Sequence, residues 1–213
     1  MSFDRIGGIA GFCFAAGVLL QNGVLLQGAP LPSADLEVVQ RFYVERAAPV
    51  SLAVGWVTLN VPLLLLFAHA VSRRMGRTEA AAPFGQVGAA GAVLLAGAFL
   101  CTTWLQAVLT SSAAGLADAG QLGLVWAMHS AAFGTSGVSL AVVLGAFSAG
   151  AWIEGTVPKW VAGLGFLGAA SLVVSGFSAV ATVAGGPGIF FQLGGFLTWV
   201  VWLLAGSIRL VRG

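Results

Sequence analysis

Charge is what this chain has least of. Only 8% of its 213 residues are Asp, Glu, Lys or Arg, and it holds two histidines, two cysteines and a single tyrosine. None of the charged residues falls inside its long apolar runs, which argues against an ion pump, a proton-coupled transporter or a voltage sensor, each of which needs charge within the bilayer. The net charge of +2 and the scatter of the basic residues leave no footprint for nucleic acid. No HExxH, CxxC pair, P-loop or GxSxG elbow is present, so no metal and no cofactor is expected.

What fills the chain is apolar residue. A chain that is 59% hydrophobic with a mean hydropathy of +0.99 cannot be an ordinary soluble domain. Its apolar runs are as long as the ~20 residues a helix needs to cross a bilayer, and they lack the short alternation of a membrane β-barrel. The pattern predicts an all-α polytopic membrane protein: a bundle of six transmembrane helices in one membrane domain, over about 6–26, 49–72, 84–109, 122–150, 160–183 and 189–208. The first run, with a poorly matched cleavage site, reads as an uncleaved span rather than a signal peptide.

Between the first two spans lies the sizeable polar piece, residues 28–48. Pro30 and Pro32 break the first helix, Ser33 is a candidate N-cap, and Asp35 and Glu37 suit the positive end of a helix dipole. A short helix over 33–46 should follow, with Glu37, Arg41 and Glu45 in one row and Leu36, Val39, Phe42 and Tyr43 on the apolar side. It is either a solvated linker or a lid over an internal pocket. Pro62 should kink the second span, with Asn60 bonding the backbone groups that the kink frees.

Basic residues set the orientation. With a cytoplasmic N-terminus, Arg5, Arg73, Arg74, Arg77, Lys159, Arg209 and Arg212 fall inside and only Arg41 and Arg46 outside. Both termini are then cytoplasmic, the short helix is extracytoplasmic, and the expected location is the bacterial inner membrane, crossed many times.

Depth follows from a rise of about 1.5 Å per residue. Gln21, Asn22, Thr102, Gln106, Trp126, His129, Ser130 and Gln192 then share roughly the outer third of the bilayer, whereas the cytoplasmic half is mostly Gly, Ala, Val and Leu. The fourth span, 122–150, is the organising element: Ser130, Gly134, Gly137 and Ala141 recur at helical spacing and admit a close neighbour, and His129 is its titratable group. These residues imply an outward-facing pocket inside the bundle. Its polar handles would be His129, Gln106, Thr102, Gln21, Asn22, Asn60 and Gln192, and its walls Trp56, Trp104, Trp126 and Phe191. The same residues could serve only as hydrogen-bond partners between helices, with His129 bonded to Gln106, Thr102, Gln21 or Asn22. His69 lies about 15 to 20 Å from His129 in depth, and Cys13 about 10 to 15 Å from Cys101, so neither pair can share a metal or form a disulfide. The cysteines read as small packing residues.

The segments PLPSADLEVVQRFYVERAAPV, VPKWVAGLGFLG and WVVWLLAGSIRLVRG resemble a group of small bacterial six-helix membrane proteins grouped as a domain of unknown function. That resemblance implies the six-span topology and carries no activity and no catalytic residues with it.

Three functions fit these features. The first is a non-enzymatic protein binding a membrane lipid or other apolar small molecule in the outer half of the bundle. The second is a membrane-embedded enzyme acting on an isoprenoid or lipid, with His129 as acid or base and Glu37, Glu45 or Asp118 reaching in. The third is a scaffold for a membrane-protein partner, using glycine-rich helix faces.

Overall fold

The computed structural model describes residues 1–112 and 119–213; Asp118, a candidate acid or base, lies outside them. Among the described residues the chain forms helices and no strands: α1 (Phe3–Leu20), α2 (Leu36–Glu45), α3 (Ala47–Met75), α4 (Ala82–Ser112), α5 (Ala119–Glu154), α6 (Lys159–Phe177), α7 (Ala179–Val183) and α8 (Gly188–Arg212). Six of them, α1, α3, α4, α5, α6 and α8, are long and apolar enough to cross a membrane. The protein is an integral, multi-pass membrane protein.

The six spans alternate in direction and form a closed ring. Each packs on its neighbours in the chain, and α8 returns to α1. Small residues make that closure possible. Gly8 lies against Val211 and the Ser207 backbone, and Gly11 against Ser207 and the Phe67 ring, leaving no room for a β-carbon. Both termini therefore sit at one end of the bundle. There Arg77, at the end of α3, donates to Asp4 in the first turn of α1 at 2.7 Å. Asp4 also suits the positive pole of its own helix.

The termini end and the middle are filled. Phe14, Phe67, Phe147, Trp199, Trp202 and Leu203 are almost fully buried in one cluster, with Phe147 stacked on Trp202 at 5.7 Å and Phe14 edge-on to Trp199 at 5.3 Å. Glycine faces large side chains here: Gly88 and Gly206 take up rings of Phe147, Phe67 and Trp202. α5 holds the central place expected of it, with 56% of its apolar window buried against 39% or less for the other spans.

Several local expectations are corrected. The spans run longer than predicted at most ends, and the fifth stops early, at Phe177, with α7 following as a separate turn. The polar segment's helix starts at Leu36 with Asp35 as its first cap, so Ser33 does not cap it; Ser33 packs instead beside Gly185 in the turn before α8. Pro62 falls inside α3, which runs unbroken from Ala47 to Met75; this does not overturn the kink, since a kink bends a helix without ending it. Asn60 donates to Gln21, just past the end of α1, at 3.3 Å rather than bonding its own helix backbone. Cys13 and Cys101 are free and exposed on the outer surface of the ring, not packed inside it.

Candidate functional site

The end opposite the termini is built differently, beginning with α1. Asn22 turns its amide back to donate to the Val18 carbonyl at 2.9 Å, and the helix widens into a π-turn over Gln21–Leu25. The chain leaves that turn through Gly28, whose φ of +78° suits a residue with no side chain. The π-turn packs on α3 but not on α8. Consequently α1 and α8, in close contact at the termini end, separate here.

Above the gap, the segment after α1 crosses the end of the ring. Val39 and Tyr43 of α2 are buried against Leu109, Leu122 and Trp126. Trp126 donates its indole N–H to the Pro32 carbonyl at 3.1 Å, pinning the crossing segment to α5. Arg46 donates to the carbonyls of Val24 and Leu25 at 3.4 Å and closes the π-turn. Burial pushes the Tyr43 phenol above its ordinary pKa, because the phenolate would lose its hydration under this cap.

Beneath α2 is a cavity of about 290 Å³. Every one of the six spans contributes to it, from Val18 on α1 and Leu95 on α4 to Leu172 on α6 and Trp199 on α8. Its walls are mainly apolar, and no Asp, Glu, Lys or Arg lines it. Seven of the residues singled out from the sequence meet around it: Gln21, Asn22, Asn60, Thr102, Gln106, His129 and Gln192.

Their bonds decide what each can offer. Thr102 spends its hydroxyl on the Ala98 and Phe99 carbonyls of its own helix. Gln192 donates its amide to the Phe133 carbonyl at 3.0 Å, and its buried oxygen has no partner among the described residues. His129, 8% exposed, is stacked on Trp126 with centroids 5.2 Å apart, and neither ring nitrogen has a partner. The expected bond from His129 to Gln106, Thr102, Gln21 or Asn22 is therefore not made. Asn60 and Trp56 bring their free Oδ1 and Nε1 over Gly17 of α1, where only glycine leaves space.

The aromatic walls are corrected in the same way. Trp104 is 65% exposed and faces away from the bundle; Phe191 is also largely exposed, its carbonyl accepting from Ser171. Trp126 stands behind His129 and Trp56 beside Gly17, neither lining the cavity. Phe99, Phe133, Phe196 and Trp199 take the place of those walls. Depth along the sequence could group residues by level, but not say which side of each helix turns inward. Gly137, noted for its size alone, opens directly onto the cavity: a β-carbon there would meet Leu172 at 3.6 Å and Gln192 at 4.0 Å, ordinary contact distances.

Among the described residues no three His, Cys, Asp or Glu side chains come together as a metal site. His69 is exposed at the termini end, edge-on to Phe3. Glu37 and Glu45 lie exposed on α2 and make no bond to His129. The chain matches no known family model, no curated protein and no solved structure.

Proposed function

We propose that this protein binds a lipid or other apolar small molecule in the cavity beneath α2, and that it is a binding protein rather than an enzyme. The observation that carries the reading is the cavity of about 290 Å³, lined mainly by apolar side chains from all six spans and by no charged one. A ligand that fills it replaces void with van der Waals contact.

The route in is from the side. α2 and its preceding segment cover the aqueous end, whereas α1 and α8 part at the level of Asn22 and Leu193, both exposed lining residues. A molecule dissolved in the bilayer can pass between them without crossing water. The bias of Arg and Lys to the termini end supports placing both termini in the cytoplasm of a bacterial cell and the cavity in the outer leaflet. Neither ring nitrogen of His129 has a partner among the described residues, so no carboxylate there orients it for acid–base work.

The test is native mass spectrometry of protein purified in mild detergent, on wild type and on Gly137→Val. Valine at this position fills space inside the cavity, its β-carbon at ordinary contact distance from Leu172 and Gln192. The wild type should retain an apolar molecule, and the folded variant should retain at least about tenfold less, a change of about 1.4 kcal/mol. Equal retention by both proteins would remove the cavity as the binding site.

A further inference from the structure

We infer that Thr103 and Gln106 of α4 are the residues that recognise the ligand, holding the polar head of an uncharged, single-chain amphiphile whose tail runs away from α2; this rests on the binding function proposed above. Both residues line the cavity. Residues three apart on a helix share one face, with β-carbons about 5 to 6 Å apart, so a single small head reaches the two. Leu109, one turn beyond Gln106, is buried against α2, whereas Phe99 and Leu95 continue the lining of α4 toward the termini end. The polar pair therefore lies at the capped end of the cavity and the apolar floor at the other.

What singles out this pair is that its polar atoms are both unbonded and open. A helical threonine commonly returns its hydroxyl to a carbonyl one turn back, as Thr102, Thr110 and Thr135 do here. Thr103 does not: its hydroxyl has no hydrogen bond among the described residues and is not closed over by its neighbours. At Gln106 the backbone carbonyl accepts from Thr110 at 2.7 Å, while the side-chain amide is likewise unbonded and open. A hydroxyl and an amide can each donate and accept, so an alcohol or a carbonyl head fits the pair.

Charge and shape narrow the class further. No lining residue carries a formal charge to offset the desolvation of an ionic head. From Leu95 to Gln106 the lining follows α4 over about 16 Å, at about 1.5 Å per residue. An apolar cavity of about 150 Å³ holds one benzene ring. About 290 Å³ drawn out over that length is slender, with room for one chain of about ten carbon atoms and not for two side by side.

Four probes separate these features: 1-decanol, decane, decyl sulfate and 1,2-didecanoylglycerol. Each is titrated into the full-length protein in lipid nanodiscs, as wild type, Thr103→Val and Gln106→Leu; both substitutions nearly keep the volume and remove the polar group. Binding is read from tryptophan fluorescence, Trp199 standing in the cavity wall, and from the thermal unfolding midpoint, with affinities expressed per mole fraction in the lipid. On wild type, decanol should bind saturably, about tenfold tighter than decane and about a hundredfold tighter than the sulfate or the diacylglycerol. Each variant should weaken decanol by about fivefold to tenfold and leave decane unchanged. Unchanged decanol affinity in a folded variant would overturn the assignment of that residue. Should neither variant fold, decane equal to decanol on wild type would overturn the polar pair. Tight decyl sulfate would overturn neutrality, and tight diacylglycerol the single chain. All of these outcomes leave the binding function standing. Saturable binding of none of the four would overturn the binding function itself.

Discussion

The two ends of this bundle use the same six helices, yet one is solid and the other hollow. At the solid end glycine opposes a large side chain: Gly88 faces Phe147, and Gly206 faces Phe67 and Trp202. At the hollow end two glycines of α5 stand clear of their neighbours: Gly134 finds only the methyl of Ala179, and Gly137 meets Leu172 and Gln192 no closer than ordinary contact. The polar residues gather at the hollow end, and matching of size at these glycines is what differs in the packing. In lipid, where burial of apolar surface drives little, such matching is the main source of helix association.

The largest effect that should expose this contrast is a deletion of volume. Phe147→Ala, at a position with no exposure, should cost about 3 to 5 kcal/mol, whereas Phe99→Ala beside the existing void should cost well under half of that. Thermal unfolding of the two variants in one detergent measures the difference. Similar losses would mean that the hollow end is packed in the membrane.

Loosening the cap comes next. Trp126→Phe keeps the ring against His129 but removes the bond to Pro32, which should cost about 1 kcal/mol. The change should appear as faster amide exchange in α2 with no change in α8. Uniform acceleration across the protein would instead make the cap part of the same cooperative unit as the solid end.

His129 gives a sharper test because the sequence and the structure disagree about it. A histidine bonded across helices would make His129→Leu destabilising, by stranding its partner. With no partner to strand, the same substitution should be neutral or stabilising by about 1 kcal/mol. A clear loss of stability in ligand-free protein would return His129 to a structural role.

The smallest effect is a gain. Gly137→Ala adds a methyl at ordinary contact distance and removes backbone freedom from a helix, so it should raise stability by about 0.5 to 1 kcal/mol. Gly88→Ala, where the methyl would overlap the Phe147 ring, should lower it. Opposite signs at two glycines of similar helical setting would sharpen the comparison, and equal signs would break it.

Much of the architecture was legible in the sequence. The six spans, the short helix between the first two, and the gathering of Gln21, Asn22, Thr102, Gln106, His129 and Gln192 at one level all follow from counting residues along each run. Trp104 shows where counting stops. It shares its depth with Thr102 and Gln106, but α4 turns it to the outside of the ring. The π-turn was also out of reach, because its effect is to part α1 from α8, and nothing local to Gln21–Leu25 encodes where α8 will lie.

By itself, then, the sequence determined that this protein crosses a membrane, how many helices do so, and which polar residues share a level, since hydropathy and depth are properties of each segment taken alone. Only the tertiary structure decided that those polar residues enclose a cavity and that His129 and Gln192 face it without partners. The rotation of each helix about its own axis is fixed by contacts with two neighbours at once. In a closed ring no single helix carries that information.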